Sequence, residues 1–152
     1  MALGIDHTFN RFKKEALIIN LDLTVREDQQ GLWGWLKHPK LAAVSMAPPC
    51  GTSTRAKEKN DGGPRPLRSD DHPRGIPNLK PHEVRRVVKA NAIYDFVLEV
   101  ASFRLKAGIL FFIENPLRSL MWQIEGYKVL LGLPGVFDVD YDGCMLGGIR
   151  LK

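Results

Sequence analysis

Two cysteines in 152 residues are too few for a disulfide framework. Cys50 and Cys144 also lie too far apart to build a zinc site, which needs about four closely spaced ligands. No apolar run approaches the roughly 20 residues of a membrane span. The opening Met1-Ala2-Leu3-Gly4-Ile5-Asp6 lacks a basic end followed by an apolar signal stretch. The expectation is an intracellular protein with no metal and no membrane segment. Charge of one sign is not in large excess: Lys and Arg number 22 against 17 Asp and Glu, a net +5. Internal repeats and low-complexity tracts are missing as well. With 44% hydrophobic and 26% charged residues, the chain has material for one cored domain over 1–152 and not for two ordinary ones.

The charge that is present is unevenly placed. Between Arg55 and Lys89 there are ten basic residues against five acidic ones, a distribution that suits a polyanion because each phosphate contact releases counterions. A solvated basic loop gives the same count.

Short apolar stretches at 2–5 and 16–21 end in Asp6 and Asp22 and predict buried strands. Leu32, Trp33, Trp35 and Leu36 predict a short helix between Gln29 and His38, closed by Pro39. A third strand, 41–47, runs straight into Pro48-Pro49-Cys50. From 51 to 81 the chain is rich in Gly and Pro and poor in aliphatics, a long loop of the kind that is usually functional or disordered. Apolar residues at helical spacing from Val84 to Leu105 predict a long helix ending near Gly108. A fully buried strand at 109–113 then delivers Glu114-Asn115-Pro116. A helix over 117–131, a strand over 136–141 and a turn at Cys144 complete the reading. Alternation of strand and helix predicts a parallel α/β sheet, in which chemistry gathers outside the C-terminal strand ends. Asp6, Asp22, Cys50 and Glu114 each follow a predicted strand, so such a sheet brings them to one edge.

Two prolines fix φ and remove two backbone donors ahead of Cys50, so its side chain is presented rigidly. A partly exposed thiolate favoured by nearby positive charge, with Arg55 and the basic loop as its source, serves as a nucleophile. A lone cysteine buried for packing is the alternative. Glu114 follows five apolar residues and is costly to bury without a partner; a helix-cap or surface carboxylate is the competing reading.

With Ala47-Pro48-Pro49-Cys50 and Glu114-Asn115-Pro116 in this order, the chain resembles the DNA cytosine-5 methyltransferases, whose nucleophile lies in a Pro-Cys turn and whose glutamate lies in a Glu-Asn-Val strand end. Thr54 stands where family enzymes carry a serine four residues after the nucleophile. The strings Pro-Pro-Cys-Gly-Thr, Gly-Pro-Arg-Pro-Leu-Arg-Ser and Cys-Met-Leu-Gly-Gly are closer still to divergent methyltransferase-like domains of dinoflagellate and other protist proteins, some linked to mobile elements. The resemblance spans nearly the whole chain and is specific in motif order. Three features differ. The family's first strand with its Phe-x-Gly-x-Gly loop is not found, so the chain opens in what corresponds to the second strand. Gly51 replaces a glutamine, and no Gln-x-Arg-x-Arg string lies near the C-terminus.

The resemblance implies a Rossmann-like methyltransferase fold, a mostly parallel sheet with helices on both faces and its first strand missing. It implies S-adenosylmethionine as cosubstrate, with Asp6 at the ribose, Asp22 at the adenine and Pro48 lining the same site. Cys50 and Glu114 would be catalytic. Pro49, Thr54, Arg55, Asn115, Arg65, Arg68 and Arg74 would contact DNA, with the 51–81 loop closing over a flipped cytosine. A nuclear location is implied in a eukaryotic cell. Two other readings stand beside this one: a methyltransferase-like remnant that binds nucleic acid without methylating it, and an adenine-N6 methyltransferase, whose Asp/Asn-Pro-Pro-Tyr/Phe turn occupies the same strand end. Cys50 in place of the stacking aromatic argues against the latter. A cysteine hydrolase is disfavoured because none of His7, His38, His72 and His82 follows a predicted strand.

Overall fold

The computed structural model describes residues 20–58 and 62–140. The predicted strand at 2–5, most of that at 16–21, Asp6, His7, Tyr141 and Cys144 lie outside the described residues.

Helix α1 (Arg26–Leu36) begins three residues earlier than its apolar spacing predicts. Glu27 and Asp28 in its first turn complement the positive end of the helix dipole and extend it back to Arg26. Its C-terminal carbonyls are met from another helix. Arg104, buried, donates to the Leu36 carbonyl at 3.0 Å and to the Leu41 carbonyl at 2.9 Å, which fixes the turn leading into β1 (Ala43–Met46).

The long helix α2 (Pro81–Lys106) starts with proline at its first position, where a missing N–H costs nothing. The Glu83 carboxylate accepts from the Lys80 N–H at 2.7 Å. The helix stops in a Schellman motif: Gly108 (φ 65°) donates to the Leu105 carbonyl and Ile109 to the Arg104 carbonyl. The chain then enters β2 (Leu110–Ile113), which pairs in parallel with β1 in the register Ala43↔Leu110 to Met46↔Ile113. One further bond, from the Glu114 N–H to the Met46 carbonyl at 2.9 Å, carries the ladder past the strand end.

Helix α2 is the centre of the core. Ala90, Tyr94 and Val97 pack with Met121, Ile124 and Tyr127 on one side. Phe96 and Val100 pack with Leu36 on the other, with the Trp33 ring edge-on to Phe96 and Phe103. Met46 touches both clusters, so the strand that leads to Cys50 is anchored where they meet.

Several expectations are corrected. Strand β2 is not fully buried: Phe111 and Ile113 are half-buried, Ile113 against the cluster built on α2, while Leu110 and Phe112 are 58% and 53% exposed on the other face. Of the stretch expected as a strand before Asp22, the described Asn20 and Leu21 have no regular structure, and Asp22 opens the turn before α1. The helix expected over 117–131 is broken. Leu120–Gln123 is a 3-10 turn whose start is capped by the Ser119 hydroxyl, Ile124 is extended, and only Glu125–Leu131 (α3) is α-helical. A serine that satisfies a nearby backbone N–H competes with the helix that its neighbours' apolar spacing favours. Residues 136–140 form no strand, and Phe137 and Val139 stand out into solvent.

Candidate active site at the strand ends

The parallel register puts the two candidate catalytic turns side by side. Cys50 lies four residues beyond Met46, and Glu114 one residue beyond Met46's partner Ile113. Pro48 is buried, Pro49 exposed, Cys50 half-buried with a free thiol, and Glu114 exposed rather than buried.

The main chain of the Pro-Pro-Cys turn is held at three successive carbonyls. Asn115 Nδ2 donates to Pro48 at 2.8 Å, tying the glutamate turn to the cysteine turn. The Tyr94 hydroxyl donates to Pro49 at 2.6 Å. The Cys50 carbonyl accepts from the Ser53 and Thr54 N–H groups, both at 2.9 Å. Beneath the turn is a buried hydroxyl cluster, with Ser53 Oγ 3.0 Å from the Tyr94 hydroxyl and 2.8 Å from Ser119 Oγ. Because the prolines offer no N–H, these acceptor contacts are what fix the turn, and they come from α2, the end of β2 and the chain just after Cys50. Nothing in the sequence singles out Tyr94, Ser53 or Ser119. Tyr94 reads there as one more apolar-face residue of a helix, and the serines carry no motif.

Asn115 therefore spends its amide N–H on the backbone, while its buried Oδ1 has no partner among the described residues. Thr54 starts the 3-10 turn Arg55–Glu58, accepting from the Ala56 N–H at 3.3 Å.

The arginines of the long loop are engaged within the chain. Arg55 pairs with Glu58 and Asp70, and the Arg55 bond is the main reason that the Asp70 carboxyl sits below its usual range. Arg74 pairs with Asp95 of α2. Arg68 is 1% exposed and faces no carboxylate: its guanidinium bonds Thr52 Oγ1, the Pro73 and Val87 carbonyls and Asn91 Oδ1, and lies 5.1 Å from the Tyr94 ring centre. Burial lowers its pKa, and four oxygens with an aromatic face offset that cost. In this position Arg68 is not presented to a DNA phosphate; it pins the loop to α2. Gly75 lies against the same helix, where its φ of 129° and tight approach to Val87 Cγ1 leave no room for a side chain.

Arg65 clamps Glu83 with two nitrogens, and this bond, followed by the Lys80 N–H, holds the Glu83 carboxyl down at about 2. A carboxyl depressed in the folded state adds stability that is present above its unfolded pKa and is lost as pH falls through the folded value. Stability to urea is expected to fall between about pH 4.5 and about pH 2. Glu83→Gln should flatten that slope. An unchanged slope in the variant would place the acid sensitivity elsewhere.

Asp22 is exposed, with Oδ1 accepting from the Thr24 N–H (3.0 Å) and hydroxyl (2.7 Å). These bonds lower its pKa, with a smaller contribution from the Lys89 ammonium. No group of three or more His, Cys, Asp or Glu is placed to hold a metal among the described residues, and no helix there is long and apolar enough to cross a membrane. No protein family, curated protein or solved structure matches the chain.

Proposed function

We propose that the chain carries the catalytic residues of S-adenosylmethionine-dependent methyl transfer to C5 of cytosine in DNA. One observation carries the reading. Adjacent parallel strands end together on Pro48-Pro49-Cys50 and Glu114-Asn115, and the Asn115 side chain bonds one turn to the other.

The Cys50 thiolate adds to C6 of a flipped cytosine while the Glu114 carboxylic acid donates its proton to N3, so charge developing in the ring is neutralised and C5 becomes nucleophilic. S-adenosylmethionine supplies the methyl group when bound; Asp22 Oδ2 and Asp6 are the acceptors this chain offers to its hydroxyls and amine. A base then removes the C5 proton, and the thiolate leaves as the C5–C6 double bond re-forms. The exposed position of Glu114 leaves its carboxyl group accessible to an incoming ring, and the half-buried thiol beside a fixed main chain needs little reorganisation.

Contacts to the DNA backbone fall to the exposed basic residues of early α2. Arg85, Arg86 and Lys89 share one helix face and make no ion pair among the described residues, in contrast to the paired arginines of the loop. The test is transfer of labelled methyl groups from S-adenosylmethionine to DNA, followed by nuclease digestion. Label in 5-methylcytosine is expected. Label in N6-methyladenine, or DNA binding with no transfer, would contradict the proposal.

A further inference from the structure

Beside the two turns lies a concavity of about 250 Å³ lined by Arg55, Leu117, Arg118, Ser119 and Gln123. Its walls come from the chain just beyond each candidate catalytic residue: Arg55 stands five positions after Cys50, and Arg118 four after Glu114. Among the described residues no carboxylate lines it. Two guanidiniums and an amide give it hydrogen-bond donors, and the exposed Leu117 gives it one apolar wall. Its floor is rigid, because Ser119 is 2% exposed and bonded to Ser53 beneath the cysteine turn.

The two arginines differ in their state. Arg55 is held by Glu58 and Asp70, so its position is fixed and its charge largely balanced. Arg118 is exposed and has no ion-pair or hydrogen-bond partner among the described residues. A guanidinium left unpaired at the mouth of a cavity that no described carboxylate lines matches an anion that accepts several hydrogen bonds, as a phosphate does. The volume is below that of a drug-sized pocket and suits a phosphate with part of its sugar.

We propose that this concavity is a phosphate subsite for the nucleotide presented to Cys50, with Arg118 its principal contact. The proposal rests on the reading of Cys50 and Glu114 as the reacting pair for its choice of a nucleotide, but its test needs neither the thiol nor methyl transfer. Cytidine and cytidine 5′-monophosphate are titrated into the full chain by NMR, with inorganic phosphate as a competitor. The monophosphate should bind on the order of tenfold or more tightly than cytidine, as charge-assisted bonds to one guanidinium provide. Arg118→Ala should erase that advantage and leave cytidine binding unchanged, and Arg118→Lys should restore part of it. Because the side chain is exposed, these variants should keep the wild-type thermal midpoint.

Equal affinity for the two ligands in the wild type, no saturable binding of either, or an advantage that survives Arg118→Ala would each overturn the subsite. Inorganic phosphate alone binding as tightly as the monophosphate would make it a free-anion site and overturn the nucleotide assignment. A phosphate preference lost with Arg118, in a protein that forms no adduct through Cys50, would leave the subsite standing and remove the methyl-transfer reading.

Discussion

Replacement of Glu114 by glutamine is expected to slow methyl transfer by about two orders of magnitude or more, since general acid assistance contributes about 10²- to 10⁴-fold. Attack of a thiolate on C6 pushes charge toward N3, and only a group that delivers a proton or a strong hydrogen bond there stabilises the transition state more than the ground state. The glutamine keeps the size and neutral hydrogen bonding of the side chain and loses the acid. The position is exposed at the end of β2, and its ladder bond to Met46 uses the backbone N–H, so neither stability nor DNA affinity should change appreciably. Single-turnover kinetics separate these quantities. A rate unaltered by Glu114→Gln would make the residue structural.

Arg68→Ala should have the largest effect on stability, a loss of about 3 kcal/mol or more, from unpaired buried acceptors and an unfilled cavity. One guanidinium satisfies Thr52, Asn91 and two carbonyls and stacks on Tyr94, and no other described side chain supplies donors there. Lysine, with one compact ammonium, cannot reach four oxygens spread from Thr52 to Asn91, so Arg68→Lys should recover only part of the loss. The consequence extends to the site, because Tyr94 holds the Pro49 carbonyl. Urea denaturation gives the stability change. A change under about 1 kcal/mol in Arg68→Ala would mean that the loop is not held to α2 in this way.

The fold is legible in the sequence where periodicity and punctuation agree. Strand β1, strand β2 and helix α2 lie where apolar runs, Pro81 and Gly108 place them, and the strand-end positions of Cys50 and Glu114 result from those three elements. Periodicity misleads where a side-chain hydrogen bond outcompetes it, as at Ser119 and the broken helix after it. Charge likewise does not equal exposure. Arg65, Arg68 and Arg74 look in sequence like Arg85 and Arg86, which make no ion pair among the described residues, because their partners Glu83, Asn91 and Asp95 are 18 to 23 positions away along the chain. Arg118 stands in the sequence as a single basic residue outside the cluster, and only the folding of its turn against that of Arg55 makes it part of a cavity.

The most direct measurement is covalent trapping on a duplex containing 5-fluorocytosine with S-adenosylmethionine present. Fluorine at C5 cannot leave as a proton does, so a thiolate that has added to C6 stays attached after methyl transfer. Mass spectrometry of the digested complex is predicted to show the nucleotide on the peptide containing Cys50, with the adduct lost in Cys50→Ser and retained in Cys144→Ser. An adduct that persists in Cys50→Ser, or one mapped to Cys144, would contradict the assignment of the Pro-Pro-Cys turn as the nucleophile.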